Sequence, residues 1–119
     1  MAWKFDDNRS IYVQLTEQIQ MRILTGVYEA GSRLPAVREL AAEAGVNPNT
    51  MQRALSELER TGLVYSKRTS GRFVTEDESI MEKLKEEFAR KEVLDFCAGM
   101  HRLGFGTEEI IEFIKKEGE

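Results

Sequence analysis

Asn47, Asn49, Thr50, Gln52 and Arg53 occupy one seven-residue stretch and carry the hydrogen-bonding edges that read base pairs in a major groove. Arg can grip guanine O6 and N7 with two N–H donors, and Asn or Gln can match adenine N6 and N7 in the same way. A second group lies further on. Arg68, Ser70, Gly71 and Arg72 combine two cations, a hydroxyl and a residue without a side chain, a set suited to close approach to a phosphate backbone. Arg38 supplies another cation upstream. Two of these Arg residues also have a plainer use. Arg38 could pair with Glu39 or Glu43, and Arg53 sits four residues before Glu57, the spacing of a surface ion pair on a helix.

Other chemistry has thinner support. Cys97 and His101 are four apart and could join Asp95 or Glu92 around a metal, but a buried Cys and a half-buried His in a dimer seam explain the pair without one. His101 is the single histidine and has no nucleophile pattern beside it. No Gly-rich phosphate loop follows a strand either, so no catalytic residue, metal or cofactor is expected.

Periodicity lays out the elements that must hold the first two groups. Val37, Leu40, Ala41 and Val46 are placed to bury a short helix and the turn after it, and Met51, Ala54, Leu55 and Leu58 to bury one side of a second helix. At about 100° per residue, Asn49, Arg53, Ser56 and Arg60 then fall opposite the buried stripe. Gln52 lies beside them and Thr50 on the other flank. Asn47 is the expected N-cap of this second helix, Pro48 its first residue and Gly62 its stop. Leu63–Lys67 and Arg72–Thr75 are β-prone runs joined by Arg68-Thr69-Ser70-Gly71, where glycine can take the positive φ that a hairpin tip demands. Ahead of all this, Ile11, Leu15, Ile19 and Ile23 repeat every four residues, predicting an amphipathic helix that ends at Gly26 and covers the back of the other two. The order is that of a winged helix-turn-helix.

The runs Ile11-Tyr12-Val13-Gln14-Leu15, Arg22-Ile23-Leu24-Thr25-Gly26-Val27-Tyr28, Gly31-Ser32-Arg33-Leu34-Pro35 and Ala54-Leu55-Ser56-Glu57-Leu58-Glu59-Arg60-Thr61-Gly62-Leu63-Val64 together resemble the GntR family of bacterial transcriptional regulators. The likeness covers residues 10 to 75 and many spaced positions. Ser10 stands where that family usually has Pro, and Ala36-Val37 where a Ser often follows the Pro; neither departure touches the reading face. The resemblance implies a DNA operator as partner and a backbone contact from the position of Arg38.

A net charge of −4 suits a DNA binder only when divided by region. Residues 1–75 hold ten Lys and Arg against eight Asp and Glu, a net +2, whereas residues 76–119 hold seven against thirteen, a net −6. Seven basic and four acidic residues lie between Arg33 and Arg72, a local surplus that can face phosphates. So few cations on one copy bind weakly, because affinity follows the number of phosphates neutralised. Two copies would remedy that.

A chain of 119 residues with 41% hydrophobic content suits one domain and an appendage. No apolar run approaches membrane-spanning length, the start lacks a secretory core, and the single Cys97 permits no internal disulfide, so a cytoplasmic protein is expected. After the polar Thr75–Ser79, with Ser79 as a plausible N-cap, apolar residues at Ile80, Leu84, Phe88, Ala89, Val93, Phe96, Met100 and Leu103 predict a long helix whose stripe shifts phase at Arg90–Glu92, by a kink or by a change of partner. Gly104–Gly106 end it, and Thr107 with Glu108 and Glu109 begins a short last helix with Ile110, Ile111, Phe113 and Ile114 on one apolar face. Forty-four residues in two helices cannot build a core alone, so these faces are expected to pair with a second copy. Such a tail is similar to that of the YtrA-type subgroup of the same family, which dimerises through it and lacks a larger effector domain.

These readings converge on a mainly α fold with a small β-hairpin: a winged helix-turn-helix over 1–75 and a helical dimerisation region over 76–119. The expected protein is a homodimeric repressor of a palindromic operator. Asn47, Asn49, Thr50, Gln52 and Arg53 would contact bases or phosphates, Arg38 the backbone, and Arg68, Ser70, Gly71 and Arg72 would serve the wing. A small-molecule effector is possible and unidentified. A winged-helix protein-interaction module and a hydrolase-like enzyme are the other classes, separable by duplex retention and by turnover.

Overall fold

Five helices and one hairpin form in the order α1 (Ile11–Leu24), α2 (Val37–Ala44), α3 (Pro48–Arg60), β1 (Val64–Lys67), β2 (Gly71–Val74), α4 (Glu78–Arg102) and α5 (Thr107–Glu117) in the computed structural model, which describes residues 2–118. The chain divides into two compact units, the first ending at Met81 and the second beginning at Glu82, with α4 running from one into the other.

In the first unit α1 starts where the Ser10 hydroxyl accepts a hydrogen bond from the Val13 N–H at 3.1 Å, a side-chain N-cap. Leu15, Ile19 and Ile23 are fully buried on its inner face, but Ile11, at the first turn, remains 40% exposed. Gln14 is buried as well. Its side-chain amide accepts from the Asp6 N–H at 2.8 Å and donates to the Asp6 and Arg9 carbonyls at 2.9 Å, while Gln18 does similar work for Lys4. Two glutamines thereby replace a backbone ladder and hold the leading segment to α1.

The helix-turn-helix forms as the periodicity requires, with one shift in the buried set. Leu40, Ala41 and Ala44 bury α2, while Val37 and Val46 are half-buried because they stand at its two ends; Leu34, just before the helix, fills the core in their place. Gly45 takes the left-handed conformation, φ 71°, which returns the Val46 N–H to the Ala41 carbonyl at 3.0 Å and frees Asn47 to start the next helix. Asn47 caps α3 by accepting from the Asn49 N–H at 2.7 Å, and Pro48 follows it. Met51, Ala54, Leu55 and Leu58 are all buried.

The wing pairs antiparallel from Val64↔Val74 to Lys67↔Gly71. Its strands are one residue earlier than the β-prone runs suggest at the second strand, and Leu63 is left out of the first: the Leu63 N–H closes α3 onto the Leu58 carbonyl. On the other side of β2 runs a segment the sequence reading passed over. Gly31 N–H donates to the Val74 carbonyl, Val74 N–H to Ser32 and Leu34 N–H to Arg72, each at 2.9 Å, and Arg33 bridges to Phe73. The hairpin is thus braced along both edges of β2.

Asp77, not Ser79, caps α4: its carboxylate accepts from the Ser79 N–H at 2.9 Å and from the Ser79 hydroxyl at 2.6 Å. Those bonds hold the Asp77 carboxyl below its ordinary range. The helix is continuous through Arg90–Glu92. In the second unit Glu109 accepts from the Gly106 N–H at 3.0 Å and starts α5, Phe105 meets Phe113 edge-on at 5.1 Å, and Ile110 is buried.

Candidate nucleic-acid interface

Because α3 buries Met51, Ala54, Leu55 and Leu58, its opposite side presents Asn49, Gln52, Arg53 and Ser56 as exposed residues, with Thr50 half-buried at the flank. Gln52 donates to the Ser56 hydroxyl at 3.3 Å, a bond weak enough to be exchanged for a base edge. The Asn47 side-chain oxygen is committed to the cap, leaving its amide nitrogen as a donor. Arg53 does not pair with Glu57. Its guanidinium carbon lies 4.2 Å from the centroid of the Tyr12 ring on α1, and Glu57 instead receives Arg60 through two hydrogen bonds, of 2.9 and 2.5 Å. The Arg60 bond holds the Glu57 carboxyl below its usual value and Arg60 above its own. Arg60 is therefore ion-paired on the helix that carries it.

The wing divides its cations between two duties. Arg68 and Ser70 are exposed at the turn, where the Ser70 N–H closes on the Lys67 carbonyl at 2.9 Å. Gly71, with φ 102°, carries the chain from that turn into β2. Arg72 points its Nε at Glu59 of α3, and the Ser66 hydroxyl joins the same carboxylate at 2.8 Å. Burial pushes the Glu59 carboxyl up, but the bonds from Arg72 and Ser66 outweigh it and hold the group below its ordinary value. With its side chain 19% exposed and ion-paired, Arg72 is a tether between wing and α3. Lys67 lies over Phe73 at 4.7 Å, and Phe73 stacks on Tyr65 at 5.9 Å.

Arg38 is exposed, and among the described residues neither Glu39 nor Glu43 pairs with it. Arg33 is the cation that sequence reasoning missed. It too is exposed and without a carboxylate partner among the described residues, and it lies against Gly71. The one available signal was the Gly two residues before Phe73 on β2, legible only once the Arg33–Phe73 register is known.

In the second unit Phe96, Met100, Leu103, Phe105, Phe113 and Ile114 line an open apolar groove of about 510 Å³. Among the described residues no three His, Cys, Asp or Glu side chains gather as metal ligands, and His101 Nδ1 lies 2.9 Å from the Phe105 carbonyl. No described helix is long and apolar enough to cross a membrane.

A polar, partly cationic helix face on a buried scaffold, flanked by a cationic hairpin, defines a winged helix-turn-helix transcriptional regulator of the DNA-binding class. The profile of the bacterial regulatory proteins of the gntR family matches residues 11–74, and the chain belongs to that family. It is 39% identical over 112 residues to the uncharacterized HTH-type transcriptional regulator YhcF of Bacillus subtilis (strain 168), covering 94% of this chain and 93% of that one. It is 32% identical to the HTH-type transcriptional repressor YtrA of the same organism, covering 89% and 82%. Among solved structures, a GntR family transcriptional regulator from Listeria monocytogenes superposes with a TM-score of 0.83 at 44% identity, covering 94% of this chain and 98% of that one. The DNA-binding domain of AraR, solved in complex with operator ORX1, matches at 30% identity with a TM-score of 0.54 over 60% of this chain and 93% of that one.

Proposed function

We propose that the chain is a cytoplasmic, homodimeric repressor in which residues 1–75 read DNA and residues 76–119 join two copies on a palindromic operator. The exposed face of α3 carries this reading: Asn49, Gln52 and Arg53 offer base-matching donors and acceptors from a helix whose other side is locked in the core. Asn47 and Thr50 flank that face, Arg38 holds the phosphate backbone, and Arg68, Ser70 and Gly71 bring the wing beside it. Arg72 serves through Glu59, setting the angle of the wing. The operator complex of the AraR domain and the repressor name of YtrA support DNA as the partner and repression as the output.

Dimerisation is supported by the second unit's surface. Val93, Leu94, Phe96, Leu103, Ile111, Phe113 and Ile114 are between 41% and 73% exposed in a single copy, an apolar display that a monomer seldom leaves in water. Retention of a random duplex at low salt tests the DNA reading. A dimer that retains no duplex, with or without salt, would instead be a protein-interaction module.

A further inference from the structure

One cation beside the wing comes from outside the hairpin. Arg33 sits on the segment that pairs with β2, with backbone hydrogen bonds of 2.9 Å at Ser32 and at Leu34 fixing its root on both sides. A Cβ built on Gly71 would lie 3.0 Å from Arg33 Nε, 3.5 Å from Nη2 and 3.6 Å from Cζ. The guanidinium therefore lies across the space that any other side chain at position 71 would fill. Gly71 is favoured by its φ of 102°, and any side chain there would also have to displace this guanidinium.

The neighbouring cations are differently engaged. Arg72 is bound to Glu59, Arg60 to Glu57, and Lys67 lies over an aromatic ring. Arg33 is exposed and has no carboxylate partner among the described residues, and it borders a cleft of about 220 Å³ with Leu34, Pro35, Val37, Gly71 and Arg72. Arg33 leaves a backbone paired on both sides of it, whereas Arg68 leaves the turn at the hairpin tip, so less backbone freedom is lost when Arg33 meets an anion.

We propose that Arg33, seated over Gly71, is a DNA phosphate contact of the wing, and that Arg72 positions the wing without neutralising a phosphate. This rests on the DNA-binding reading above. The salt dependence of duplex binding by the full chain separates the two roles. Arg33→Ala lowers the slope of log affinity against log salt by about one unit per copy, Arg33→Lys restores it, and Arg72→Gln leaves it unchanged while weakening affinity. Arg33 is exposed, so thermal melting of Arg33→Ala stays near that of the parent, and Arg33→Gln repeats the measurement if it does not. An unchanged slope in Arg33→Ala and Arg33→Gln, with the parent still binding duplex, overturns the assignment and leaves the DNA reading intact. A parent that binds no duplex overturns both.

Discussion

The guanidinium of Arg53 rests on the face of Tyr12, 4.2 Å from the ring centroid, so the one cation on the middle of the reading face is held by α1 and not by a carboxylate of its own helix. Such a contact is worth about 0.5–1 kcal/mol at an exposed site, small enough for a guanine to compete with it and large enough to limit the rotamers Arg53 samples. Arg53→Ala is expected to lose about 1–3 kcal/mol of discrimination at one operator position. Tyr12→Ala should cost less, and mainly in affinity. Titration of operator and single-base variants measures both; equal weakening on operator and random duplex would make Arg53 a phosphate contact.

The Arg72–Glu59 tether is pH-dependent in a stated direction. The Glu59 carboxyl is held below its ordinary value in the fold, so its stabilising share is complete above the unfolded value, about 4.3, and is lost as pH falls through the lowered one. Glu59→Gln should therefore reduce unfolding free energy by about 0.2–1 kcal/mol at pH 7 and converge on the parent under strongly acidic conditions. Denaturant titrations across that range check it. A gap that persists unchanged in acid contradicts the tether.

Much of this arrangement is legible in the sequence because it is local. Asn47, Pro48 and Gly62 bound α3 by rules of caps and φ, and the spacing of Met51, Ala54, Leu55 and Leu58 fixes which side faces out. What escapes is tertiary choice. Glu57 sits four residues after Arg53 but takes Arg60, and Glu59 takes Arg72 from thirteen residues away. The brace formed by Gly31–Leu34 uses only backbone groups, carries no β-prone residues and ends at a proline, so no pattern announces it. Asp77 and Ser79 are both good N-caps two residues apart, and only the hydrogen bonds between them decide which one serves.

Asn47 caps α3, and substitution can part that role from the DNA contact proposed for it. Asn47→Asp keeps a capping oxygen and should hold folding stability within about 0.5 kcal/mol, yet it brings a negative charge to the phosphates and weakens duplex binding. Asn47→Ala should cost about 1 kcal/mol of stability. Thermal melts paired with duplex titrations resolve the two effects; full binding by Asn47→Asp would place the start of α3 away from DNA.

In the second unit Ile111 is 44% exposed, so a charge there leaves a single copy folded while disrupting an apolar seam. If the proposed dimer forms, the parent sediments as a dimer at micromolar concentration and Ile111→Asp as a monomer. A variant that remains dimeric removes Ile111 from the interface.

Selection of duplexes from a random library by the full-length chain tests the account most directly. It predicts enrichment of an inverted repeat whose half-site centres lie about one helical turn, or a multiple of it, apart, and loss of the repeat but retention of weak duplex binding in Ile111→Asp. Enrichment of a single unrepeated site, or of no sequence at all, would contradict a dimer that reads DNA through paired α3 helices.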